Sequence, residues 1–156
     1  KLDPVIETFK AKLEDALIAV VLFGSRARGK GRRRSDWDLF LIAEVLPDHP
    51  FDRQLFLRSL LPRTAGQISI VAKTRREFET DFPPLYLDLA IDGLLLYDSG
   101  DYMKGKLEQI RRIIGQAGLK RVRRKGALVW EWARPPRGRW RVDWSGVYGL
   151  EGGGSV

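Results

Sequence analysis

Apolar residues fall along this chain in two rhythms, one helical and one extended. Ile6, Phe9, Leu13 and Leu17 recur at helical spacing behind Asp3-Pro4, a pair suited to a cap and a first helical position. Residues 4–17 are therefore predicted to form an amphipathic helix. A continuous apolar run, Ile18 to Phe23, follows and breaks at Gly24-Ser25. A second run, Trp37 to Ala43, begins after an Arg/Gly-rich stretch. β-Branched and aromatic residues fill both runs and turn residues separate them, so they read as adjacent strands.

Later segments alternate in the same way. Phe51 to Leu61 fits a helix, with Pro62 ending it; Gln67 to Ala72 is a third strand. Thr74-Arg75-Arg76-Glu77 matches a capping box, so a helix starts near residue 75 and stops near Asp81-Phe82-Pro83. A helix over Pro84 to Ile91 and a buried strand over Leu94 to Tyr97 come next. Asp101 to Gln116 places Met103, Leu107, Ile110 and Ile113 on one helical face. Leu128–Ala133 and Arg139–Trp144, joined by Arg134-Pro135-Pro136-Arg137-Gly138, read as a β-hairpin rich in Trp and Arg. Gly146 to Val156, with its Gly152-Gly153-Gly154-Ser155 run, reads as a flexible tail. The pattern as a whole is α/β (α+β): a small mixed sheet with helices packed on it and a basic C-terminal hairpin.

Charge changes this picture in one respect. Residues 1–98 hold 15 Lys/Arg and 15 Asp/Glu, whereas residues 99–156 hold 13 against 5, so the net +8 of the 156-residue chain lies in its C-terminal third. Such asymmetry suits a polyanion such as RNA or an acidic protein, or it is a solvated basic surface. Trp residues among Arg could stack single-stranded nucleic acid, or could be the hairpin's own packing. The absence of cysteine excludes disulfides and zinc–thiolate sites. No apolar stretch nears the roughly 18 residues that span a bilayer, and no signal peptide is visible, so the expectation is a cytoplasmic protein without a membrane partner. The single histidine, His49, lies between turn formers and reads as a surface residue.

The candidate chemistry lies between the first two strands. Side chains two apart on a strand point the same way, so Asp36 and Asp38 share one face and Trp37 and Leu39 the other. Two carboxylates this close repel unless a cation lies between them, and oxygen ligands of this kind suit Mg²⁺. Gly24 permits a sharp bend and close approach to the backbone. Ser25 offers a hydroxyl and reads as the start of a short helix through Arg28, whose free N–H groups would face a phosphate. The segment Arg26 to Arg34 holds five Arg and one Lys among nine residues. Arg26, beside the bend, is the candidate phosphate contact; Arg32, Arg33 and Arg34 would face solvent or an RNA-like substrate. The plain alternative is a charged strand end without a ligand.

Gly24-Ser25, ten residues, then Asp36-Trp37-Asp38 resembles the signature of the DNA-polymerase-β-like nucleotidyltransferase superfamily. The fuller string Gly24-Ser25-Arg26-Ala27-Arg28-Gly29 with Ser35-Asp36-Trp37-Asp38-Leu39 is similar to its minimal nucleotidyltransferase group. The resemblance covers about Ala16 to Asp98. It implies the nucleotidyltransferase fold over residues 1–98; the residue pattern beyond it adds 99–145, a C-terminal helix and basic hairpin expected to pack on that core, and 146–156, a tail. It also implies a reaction: a hydroxyl attacks the α-phosphate of a nucleoside triphosphate, ATP for preference, and pyrophosphate leaves. Gly24, Ser25 and Arg26 would then bind the nucleotide, and Asp36 and Asp38 would be catalytic and hold Mg²⁺.

Two metal ions serve this chemistry in the family, with a third carboxylate on the next strand. Here that position falls at Ser69, a poor ligand and no base at its ordinary pKa; Asp88 is a remote substitute in a helical setting. Members of the group are often antitoxins partnered with a HEPN-domain toxin, which some of them adenylylate. The resemblance thus supports either a nucleotidyltransferase acting on a partner toxin or another hydroxyl acceptor, or an impaired nucleotide-binding or antitoxin-type interaction protein. An RNA-binding module using the basic third is a further alternative.

Overall fold

The computed structural model describes residues 2–63 and 66–150. Helix α1 (Asp3–Leu13) is followed by a 3₁₀ turn (Glu14–Ala16) and strand β1 (Leu17–Phe23). Then come β2 (Trp37–Ala43), α2 (Pro50–Ser59), β3 (Ile68–Thr74), α3 (Arg75–Thr80), α4 (Pro84–Asp92), β4 (Leu94–Asp98) and α5 (Tyr102–Ala117). Strands β5 (Leu119–Arg124), β6 (Ala127–Trp132), β7 (Trp140–Asp143) and β8 (Gly146–Gly149) complete the chain. The main sheet has the order β3-β2-β1-β4; β1 runs antiparallel to β2 and β4, and β2 parallel to β3. This is the mixed sheet and α+β class that the periodicity predicts.

Both faces of the inner strands β1 and β2 are covered, which explains why they are almost continuously apolar, whereas β4, expected to be buried, is an edge strand that leaves Leu94 and Leu95 exposed. Val20, Leu22, Leu39, Leu41, Ile70 and Ala72 pack against Val5, Ile6, Phe9 and Leu13 of α1 and Leu57 of α2. On the opposite face Ala19, Val21, Phe40 and Ile42 meet Phe78 of α3, Tyr86 and Leu89 of α4, and Met103, Leu107 and Ile110 of α5. Each fully buried side chain of this size contributes about 1.5–3 kcal/mol by leaving water.

Helix boundaries follow local chemistry. The capping box at α3 is present, with Thr74 Oγ1 accepting from Glu77 N–H and Glu77 accepting from Thr74 N–H. Asp98 binds the N–H groups of Met103 and Lys104 at 2.8 Å each and so caps α5. His49 caps α2, its Nδ1 accepting from Phe51 N–H. At α1, by contrast, Leu2 occupies the cap and Asp3 lies inside the first turn, where its charge complements the helix dipole. That helix also ends early: Glu14 takes φ 49°, and β1 starts at Leu17.

The C-terminal third differs from its prediction in pairing. There are two hairpins, β5–β6 and β7–β8, and the expected arms belong to different ones. Lys125 (φ 49°) and Gly126 (φ 82°) make the tight link of the first, the two left-handed residues that match the twist of paired strands. The second turns at Trp144-Ser145, where Asp143 Oδ1 accepts from Ser145 N–H. Gly146–Gly149, expected in the tail, forms β8; residues 151–156 lie outside the described ones.

Two of the tryptophans are packing groups. The Trp144 indole lies 5.1 Å from the rings of both Phe78 and Phe82, and its Nε1–H donates to the carbonyls of Phe78 (2.9 Å) and Asp81 (2.8 Å). Trp130 packs on the same cluster and donates to Asp88 Oδ1 at 2.9 Å. Among the described residues, no helix is long and apolar enough to cross a membrane.

Candidate functional site

β1 and β2 carry the bend and the acids to one end of the sheet. Phe23, the last residue of β1, pairs with Asp38, so Gly24 emerges directly beside that carboxylate. Gly24 has φ +77°, and a Cβ built on it would lie 2.4 Å from Asp38 Oδ2. The bend and the acid are therefore in contact, as the motif spacing predicts.

Beyond Gly24 the chain makes a single turn. Arg28 N–H donates to the Gly24 carbonyl (3.2 Å) and Lys30 N–H to that of Ser25 (2.9 Å). The short helix expected from Ser25 to Arg28 is replaced by this turn, because one turn has no propagation to offset the cost of its nucleus. Among the described residues, the N–H groups of Ser25 and Arg26 are not used within it, which leaves them for a ligand.

The two arginines of the turn part company. The Arg26 guanidinium stacks on Trp37 at 4.2 Å and donates to the carbonyls of Ser35 (2.9 and 3.1 Å) and Arg33 (3.2 Å). Trp37 belongs to the face of β2 opposite Asp38, so Arg26 ties down the Arg-rich loop on the far side. Its expected place at the phosphates is not where its guanidinium lies. Arg33 and Arg34 line a cleft of about 840 Å³ on that same side, with Gln67.

Arg28 is the cation on the acid side, and the sequence offered no reason to prefer it. Its Nη1 is 3.5 Å from Asp92 Oδ2, its buried Nε has no partner among the described residues, and its charge stabilises the Asp38 carboxylate. That stabilisation does not prevail. Burial, then the neighbouring Asp36 charge, push the Asp38 carboxyl above its ordinary range. A carboxylate pair disfavoured in this way gains when a divalent cation binds between its members.

Ser69, the position where the resemblance expects a third acid, lies on β3. β2 and β3 run in parallel with Asp38 opposite Ser69, and Ser69 is exposed. Among the described residues, no group of three His, Cys, Asp or Glu side chains gathers as a metal cluster. Asp88 is not a substitute: it lies on α4, where Arg121 (3.0 Å) and Trp130 hold its Oδ1. Asp38 lies beside the open backbone corner, while Asp36, near enough to repel it, lines a cavity with Ser69 and residues of α2; these oxygens suit one Mg²⁺, whose remaining positions water and phosphate oxygens can fill. They do not supply a second such site.

The family described as Polymerase beta, Nucleotidyltransferase matches residues 5–82. A candidate protein adenylyltransferase of Methanocaldococcus jannaschii is 34% identical over 118 residues, covering 72% of this chain and 80% of the relative. Among solved structures, a toxin–antitoxin with AMP-PNP shares the fold with TM-score 0.54 and 17% identity, over 72% of this chain and 86% of that one. An MNT antitoxin in complex with a tri-AMPylated HEPN toxin of Shewanella oneidensis gives TM-score 0.50 and 15% identity, over 72% and 82%.

Proposed function

The chain belongs to the polymerase beta nucleotidyltransferase family, and from that premise we propose that it binds a nucleoside triphosphate, ATP for preference, with Mg²⁺ and transfers the nucleoside monophosphate to a hydroxyl acceptor. A partner toxin of the HEPN type is the proposed acceptor or binding partner. Support for ATP and for a protein acceptor comes from the relative's description as a candidate protein adenylyltransferase. Support for the partner comes from the folds shared with antitoxins bound to toxins, one of them a HEPN toxin carrying AMP groups. The observation that carries the reading is the contact between the Gly24 bend and the Asp38 carboxylate.

In this scheme Gly24 leaves room for the phosphates, and the free N–H groups and hydroxyl at Ser25 bind them. Asp36 and Asp38 would hold Mg²⁺, which when bound neutralises the triphosphate and polarises the α-phosphate. Arg28, whose charge acts on Asp38, would supply a second positive charge. The acceptor oxygen bonds to the α-phosphorus as the bond to the bridging oxygen breaks and pyrophosphate leaves. The acceptor's proton must go to water or to a group of the acceptor, because Ser69 is neutral and cannot take it.

Label transfer from ATP labelled at the α-phosphate, with and without a HEPN-type partner, tests the proposal. Transfer that needs Mg²⁺ and is lost in Asp36→Ala supports it; equal Mg-ATP binding by wild type and Asp36→Ala overturns the site. The Asp38–Ser69 register favours one second reading, an antitoxin that binds nucleotide and toxin without turnover. Saturable Mg-ATP binding with no transfer to any partner would select it.

A further inference from the structure

Asp92 ends α4 with its carboxylate shared between two arginines from distant parts of the chain. Arg121 of β5 approaches it with both arms, Nη1 to Oδ2 at 2.6 Å and Nη2 to Oδ1 at 3.0 Å. Arg28 of the Gly24 turn makes one longer contact, 3.5 Å to Oδ2. The side chains of Asp92 and Arg121 are only 11% and 16% exposed. Arg121 also binds Asp88 at 3.0 Å, and its guanidinium lies 5.8 Å over the Trp130 ring.

A carboxylate at the C-terminal end of a helix faces the negative end of the helix dipole, and burial adds to the penalty. Asp92 therefore requires a cation. Among the described residues its ion-pair partners are Arg28 and Arg121. A planar guanidinium that meets both carboxylate oxygens satisfies this need better than a single contact can. Arg28 is left loosely held, its buried Nε without an acceptor among the described residues, close enough to Asp38 for its charge to act there.

We propose that Arg121 is a positioning residue for the nucleotide site: by taking both oxygens of Asp92 it keeps Arg28 from closing on that carboxylate and leaves Arg28 free for phosphate. The inference rests on the nucleotide-binding reading above. Its consequence is a coupling between the docking of the β5–β6 hairpin and nucleotide affinity, carried by the two-way choice of Arg28 between Asp92 and a bound phosphate.

Calorimetric titration of Mg-ATP into wild type, Arg121→Gln, Arg121→Gln with Asp92→Asn, and Arg28→Gln with and without Arg121→Gln tests it. Arg121→Gln should weaken binding about tenfold, although Arg121 does not touch the nucleotide. Adding Asp92→Asn should restore affinity to within about twofold of wild type, because the competing carboxylate is gone. In the Arg28→Gln background Arg121→Gln should have no further effect. A merely structural pair would give additive losses and no restoration.

Wild-type affinity in Arg121→Gln, or a double variant no tighter than Arg121→Gln alone, would overturn the proposal. Should Arg121→Gln not fold, Arg121→Lys, which keeps the charge but not the two-pronged contact, should show a smaller loss in the same direction; unchanged affinity there would also overturn it. Failure of wild type itself to bind Mg-ATP would overturn the proposed function, and this coupling with it. Binding by wild type with indifferent variants overturns the coupling alone.

Discussion

Gly24 and Asp38 compete for one volume: the place a Cβ would take on the glycine is 2.4 Å from the carboxylate oxygen of the aspartate. Any side chain at residue 24 must displace that carboxylate. It must also hold φ +77°, which costs an L-residue roughly 1 kcal/mol or more. Gly24→Ala is therefore expected to lower thermal stability by about 1–3 kcal/mol and to lose Mg-dependent nucleotide binding. Calorimetry and a thermal melt on the same sample check both effects.

Asp38→Asn should separate stability from function. The charge it removes is disfavoured by burial and by Asp36, with only partial relief from Arg28. In the absence of divalent cation the variant should be more stable than wild type by about 0.5 kcal/mol, a figure kept small because the carboxylate is still partly in water. Mg-ATP binding should fall steeply. Urea melts in chelator, paired with titrations in Mg²⁺, give the comparison.

Ser69→Asp restores a carboxylate opposite Asp38. The position is exposed, so the substitution should be tolerated. Rate of label transfer to the acceptor should rise by about tenfold or more, the order that a positioned general base contributes. Quenched time courses under saturating Mg-ATP measure this directly. An unchanged rate would mean that the acceptor or its protein already supplies the base.

Acid stability should depend on Glu77. Paired hydrogen bonds from Arg53 (2.7 and 3.1 Å), aided by Thr74 N–H and opposed by burial, hold its carboxyl below the ordinary 4.5. A depressed carboxyl stabilises the fold above its unfolded pKa, and the contribution is lost as pH falls through the lower folded value. Urea midpoints for wild type should thus drop more steeply from about pH 5 downward than those for Glu77→Gln. At neutral pH, where the Glu77 contribution is fully present, wild type should be the more stable of the two.

Tyr86 is buried among Phe40, Phe78, Phe82 and Trp144, and its hydroxyl has no partner among the described residues. An unpaired buried hydroxyl costs about 1–3 kcal/mol. Tyr86→Phe is expected to raise the urea midpoint with an unchanged slope, because the ring packing is kept.

Much of this arrangement was legible in the chain itself. Ile18–Phe23 is apolar throughout and Trp37–Ala43 is so apart from Asp38, which is how strands covered on both faces read, and the bend with its acids lies where the two runs meet. Ser69, the position that the resemblance gives to a third acid, does pair with Asp38 across β2 and β3. The C-terminal pairing was not legible. Its tight turn uses Lys125-Gly126, a weaker signal than Asn-Gly, while Pro135-Pro136 between two Trp-bearing runs looked like the better turn.

The choice between Arg26 and Arg28 was equally hidden, since two positions along a single turn decide which face each guanidinium reaches. Stacking on Trp37 takes Arg26 away from the acids, and only the fold brings Asp92 and Arg121 to Arg28 from 64 and 93 residues further along the chain.

Trp144 gives the C-terminal hairpins a standing that their late place in the chain conceals. Its indole plugs the gap between α3, α4 and α5 and is bolted at two carbonyls of the segment before α4. Trimming the protein at the end of α5 to obtain a tidy minimal version would pull a stopper from its middle and admit water to the aromatic cluster. Anyone engineering this molecule should treat residues 140–149 as a cork and leave them in place.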